Sequence, residues 1–171
     1  MLFRSLTEEV RKNAQEKVGD SFAIWERFCI ENYILDPVVI ERVINDYQKR
    51  KNRSAMSPSV VAETLDLCYE AVRDETQSHF IGASHDLIRR LNLNYTREQV
   101  DAMATTFITK RLTEKATLPR SVSGKSVLGR LITELQKNHD VSFRPLDLIA
   151  NMKPEEVPAD VISLFDRLKS L

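Results

Sequence analysis

A chain of 171 residues with 25 basic and 25 acidic side chains and 42% hydrophobic residues has the make-up of an ordinary globular protein. A core at this length buries roughly 70% of the unfolded chain's surface without a disulfide or metal staple. Zero formal charge removes any whole-molecule field toward nucleic acid or an anionic membrane. Four glycines and six prolines are too few for the many tight turns of an all-β fold.

Helical spacing runs through the chain from its start. Phe3, Leu6, Val10 and Ala14 form a narrow apolar stripe over 1–18, and Gly19 is placed to end that helix. This amphipathic segment is peripheral: it either ties down to the core or offers its stripe to a partner. Asp20 caps a heavier helix with Phe22, Trp25, Phe28 and Cys29 inward. Asp36-Pro37 reads as N-cap and first helical residue, because proline has no N–H to leave orphaned there, and Ser57-Pro58 repeats the signal. The first of these helices carries Val39, Val43, Ile44 and Tyr47. The second carries Val61, Leu65, Cys68 and Val72, and runs toward Ile81 before a stop at Gly82.

Ser84 is the cap expected for a short helix through Leu91. Thr96 opens a stronger one with Val100, Met103, Phe107 and Leu112 inward. After a break over 116–123, Val127, Leu128, Leu131, Ile132 and Leu135 define the next helix. Val141 to Phe143 reads as a short extended piece. A helical turn follows from Pro145 to Ala150, and a last helix near Pro158 buries Val161, Leu164, Phe165 and Leu168. The expected fold is therefore all-α: a compact, irregular bundle of about eight helices in a single domain over 1–171, with no significant β-sheet. The best candidates for exposed loops are 49–57 and 116–123.

Ser123-Gly124-Lys125-Ser126 resembles the end of a phosphate-binding P-loop, but Pro119 stands where the wrapping glycine belongs and no strand precedes it, so a nucleotide site is excluded. What survives is the start of a helix that attracts an anion, with Arg120 and Lys125 close by, set against ordinary capping by Ser123. Over 109–144, eight basic side chains face three acidic ones. This makes Lys110, Arg111, Arg120, Ser123, Lys125, Ser126 and Arg130 the candidate anion or nucleic-acid contacts. Lys49, Arg50, Lys51 and Arg53 form a second basic cluster, at a helix C-terminus where the dipole favours cations.

Glu63, Asp66, Glu70 and Asp74 recur at helical spacing opposite Val61, Leu65, Cys68 and Val72, as an acidic face suited to solvent or to a basic partner. No Glu-x-x-His pair, HExxH, calcium loop, nucleophile elbow or CxxC occurs. No metal, cofactor or catalytic residue is therefore assigned. No stretch approaches the ~20 apolar residues needed to span a bilayer, and the N-terminus lacks the long apolar run of a signal peptide. A soluble, cytoplasmic protein with reduced cysteines is expected. Elimination leaves a non-enzymatic protein-interaction or regulatory module, binding another protein or a second copy through charged helix faces and Phe3, Leu6 and Val10. The alternative is a nucleic-acid-binding regulator using 109–144, and an enzyme with a scattered site comes third.

Overall fold

Side-chain caps set where these helices begin. The computed structural model describes residues 29–114 and 116–169 together with Lys12 and Glu16. The Asp36 carboxylate accepts from the Val38 and Val39 amides at 2.8 and 3.2 Å, with proline at the first turn, and so opens α1, Pro37–Arg50. Ser57 caps α2, Pro58–Ala71, in the same way. Helix α3 spans Arg73–Arg90, and α4 spans Arg97–Thr113. A reciprocal capping box starts α4: the Gln99 amide donates to the Thr96 hydroxyl and the Thr96 amide to the Gln99 side chain. The short α5, Leu118–Ser121, leads to α6, Gly124–His139, then α7, Pro145–Asn151, and α8, Ala159–Lys169. Two 3₁₀ turns, Ile30–Tyr33 and Pro154–Glu156, complete the set. No strand occurs among the described residues, so the fold class is all-α.

The described stretches fall into two compact units. Of the described residues, one unit holds Arg73–Val122 and the other holds Ile30–Val72 and 123–169. In the first, α3 packs along α4, and α4 meets α5. Phe80, fully buried, stacks on Phe107 with ring centroids 5.8 Å apart, while Leu87 gathers Leu91, Leu93, Tyr95 and Met103 around it. In the second, α1 packs on α2 and α7, and α6 packs on α2 and on the Ile30–Tyr33 turn. Ile40, Ile44, Val61, Leu65, Leu131, Leu135 and Leu148 are buried there. No described helix is long and apolar enough to cross a membrane.

Three expectations are corrected. The predicted stop at Gly82 is absent, and α3 runs through it. Ser84 lies buried inside α3 with its hydroxyl donating 2.9 Å back to the Phe80 carbonyl, so it caps nothing. The ~1 kcal/mol that glycine costs a helix interior is smaller than the burial gained by Phe80, Leu87 and Ile88 on the same helix. The break falls instead at Val72, where α2 ends. Lastly, Phe165 is 57% exposed rather than buried, because it shares with Ile162 a side of α8 that faces outward. Residues 141–143 have no regular secondary structure; Val141 and Phe143 are buried and Ser142 is exposed.

One ion pair ties distant parts of the second unit. Arg42 on α1 donates to both carboxylate oxygens of Glu156, at 3.0 and 2.5 Å, and to the carbonyl of Asn151. The Lys153 amide also donates to Glu156, at 2.7 Å. The Arg42 bond, then the amide, hold the Glu156 carboxyl far below its ordinary 4.5, at about 2. A carboxyl depressed on folding contributes stability that is complete above the unfolded value and lost as pH falls through the folded one. Wild type is therefore expected to exceed Glu156→Gln in urea midpoint at pH 6, with the gap closing between pH 4.5 and 2. A gap that stays constant over that range would remove this pair from the acid response.

Candidate functional site

Helix α4 has more apolar side chains than its buried line uses. Val100, Ala104, Ile108 and Leu112, spaced by four, are fully buried. Met103 and Phe107, expected inward from the sequence, lie on the neighbouring line and are only half-buried. Beside them Ala102, Thr106 and Lys110 are exposed. The two lines wall a groove of about 720 Å³ that ends at Arg111, Glu114 and Thr117. A volume of this size is in the range of ligand-binding clefts.

Each wall is held from behind. Phe107 rests on Phe80, and the Arg111 guanidinium lies over the Phe107 ring, 4.5 Å from its centroid. The Thr117 hydroxyl donates to the Arg111 and Glu114 carbonyls, at 2.7 and 3.1 Å, and closes the helix end. The lining changes along its length. Ala102, Met103, Thr106 and Phe107 present no charge, and Lys110 and Arg111 follow within the next turn. Arg120, exposed on α5, belongs to the same unit.

A smaller hollow of about 320 Å³ lies where α3 hands over to α4. His85 Nε2 stands 2.7 Å from Asp101 Oδ1, and Arg89 pairs with Asp86 at 2.9 Å. Tyr95 and Arg97 also line the hollow, but no Ser, Thr or Cys is among its described lining residues. The dyad joins the two helices.

Ser123 is 9% exposed and caps α6, accepting from the Ser126 amide at 3.3 Å. The buried Gly124 amide donates to Asn32 Oδ1, also at 3.3 Å. Two of the opening amides of α6, those of Gly124 and Ser126, thus already have side-chain acceptors. Lys125 and Arg130 are exposed and Ser126 is half-buried, all in the second unit. In the other basic cluster, Arg53 pairs with Asp140 at 2.7 Å and Arg50 donates to the Asp46 carbonyl.

Glu63, Asp66 and Glu70 are exposed on α2, opposite the buried Val61, Leu65 and Cys68. Leu67, 71% exposed, stands among these carboxylates and was not singled out from the sequence. Asp74 is exposed too, but opens α3 in the first unit. Leu146 and Ile149 on α7, like Ile162 on α8, are exposed apolar side chains. Phe3, Leu6 and Val10, like Gly19 and Trp25, lie outside the described residues.

Cys68 is a free, buried thiol. Burial pushes the Cys68 thiol up to about 11; the Glu134 charge adds to this and Arg130 opposes it. In a Cys29→Ser variant at pH 8, a thiol reagent is expected to label Cys68 only as fast as the fold opens, and at once in denaturant. Rapid native labelling would contradict its burial.

No family model matches the chain, and searches of curated proteins and of solved structures also find no match.

Proposed function

We propose that the protein is a non-enzymatic protein-interaction module and that the α4 groove docks a helical segment of a partner protein. The groove itself carries this reading. Met103 and Phe107 form an apolar floor, backed by Phe80 and Leu87, beside exposed Ala102 and Thr106. Methionine adapts its shape to varied apolar side chains, which suits a docking surface. A groove on one helix has no unpaired strand edge. An extended peptide laid in it would lose water from its backbone groups without gaining partners, whereas a helix satisfies its own. The acidic face of α2 around Leu67 is the second charged helix surface available to such a module.

A three-turn helix buries less than the ~1,000 Å² of a stable interface, so micromolar affinity is the expected scale. The test titrates the full chain against a fluorescein-labelled, alanine-based helical peptide bearing a leucine stripe and no net charge. Its leucine-free counterpart and a labelled DNA duplex run in parallel. Micromolar binding of the leucine peptide alone, lost in Thr106→Asp, supports the reading. Thr106 is exposed on the groove, so the substitution charges the floor without touching the core. If the peptide fails and the duplex binds in a salt-sensitive way that Arg120→Glu with Lys125→Glu abolishes, the nucleic-acid function replaces this one.

A further inference from the structure

Resting on that docking role, we infer that the helix taken by the α4 groove is α8 of a second copy of this chain, with Ile162 and Phe165 laid against Thr106 and Phe107. Helix α8 has 11 residues. A helix of that length is marginal in water by itself and is normally held by the packing of its apolar face. Little such packing is present. Among the described residues no side chain of α8 is buried, and α8 belongs to none of the closely packed helix pairs. Val161 is half-buried, whereas Ile162 and Phe165, three residues apart, are 46% and 57% exposed on the outward side.

Groove and helix match in length and in chemistry. Eleven residues rise about 16 Å, and the groove from Ala102 to Glu114 runs about 18 Å along the α4 axis. The groove lining at Ala102, Thr106 and Phe107 carries no charge. Residues 159–169 are net neutral, with two acidic and two basic side chains, and Asp166 pairs with Lys169 at 3.9 Å. The fit therefore rests on apolar area and needs no cation at the far end of the groove. One helix in one groove buries less than the ~1,000 Å² of a stable interface. Two copies that each seat α8 in the other's groove bury that contact twice and reach this scale.

Light scattering of the full chain from about 1 to 200 µM reads the pairing in wild type, in Thr106→Asp and in Ile162→Asp with Phe165→Asp. All three positions are exposed, so the substitutions leave the core untouched. Wild type is expected to form a dimer in the low micromolar range, and each variant to dissociate at least ~10-fold more readily, because the contact would bury an unpaired charge. Mixing the two variants leaves one intact groove and helix pair, so a heterodimer is expected where neither variant pairs alone. A mixture that fails to associate overturns the inference. So does a dimer that survives Thr106→Asp and is lost with Ile162→Asp and Phe165→Asp, because α8 would then meet another surface. A mass that climbs past two copies overturns the closed pairing. A wild-type chain that stays monomeric overturns the second copy as occupant; if the leucine peptide still binds, the docking role stands with a different partner, and if it does not, both fail.

Discussion

Gly124→Ala is expected to destabilise the fold by about 1–3 kcal/mol, while Gly129→Ala in the same helix is expected to stabilise it by roughly 0.5–1 kcal/mol. Alanine is the better helix former at both sites, so propensity alone predicts the same sign. Space decides otherwise. A Cβ on Gly124 would stand 2.5 Å from the backbone nitrogen of Asn32 and 2.7 Å from its Oδ1. Backbone cannot rotate aside as a side-chain tip does, and Asn32 is itself buried. Moving α6 outward would also break the Gly124 amide's bond to Asn32 Oδ1. A Cβ on Gly129 meets nothing within 4 Å. Urea unfolding of the two variants beside wild type checks both signs. Equal stabilisation at the two positions would show that the Ile30–Tyr33 turn is not seated tightly on α6.

Phe80→Ala is expected to cost roughly 3–5 kcal/mol, a large share of the 5–15 kcal/mol that holds a domain of this size together. Phe80 is fully buried and its ring stacks on Phe107 at an interplanar angle of 13°. Deletion leaves a cavity in the packing between α3 and α4 and removes the support under the groove floor. Phe107→Ala should cost less, since that ring is half-buried and one side of it borders the groove. Thermal or urea melts of both variants test the order. If Phe107→Ala proved the more damaging, the groove-lining residue would be the true core of the first unit.

The caps were legible in the sequence because each is a local bargain. Asp36, Ser57, Thr96 with Gln99, and Ser123 meet their amides within three residues, and the geometry is nearly independent of the rest of the chain. Val61, Leu65, Cys68 and Val72 were legible for the same reason, since helical periodicity puts them on one line. The reading failed where tertiary contact outweighed a local signal. At Gly82 and Ser84 a plausible stop and a plausible cap are overridden by the buried face of α3. In α4 the apolar residues exceed what one buried line takes, and periodicity could not say which of them would be left at the surface.

The sequence by itself determined the all-helical class, most helix starts, and the alternation of buried and charged faces on α2, because these follow from hydrogen bonds and spacing within a few residues. Tertiary structure decided the rest. The Gly124–Asn32 bond spans 92 residues, and the Arg42–Glu156 pair spans 114. His85 finds Asp101 across a turn, and on α4 it is the packing against Phe80 and Leu87 of α3 that leaves Phe107 and Met103 half-buried. Such features depend on which surfaces meet, and no local preference of the chain encodes that choice.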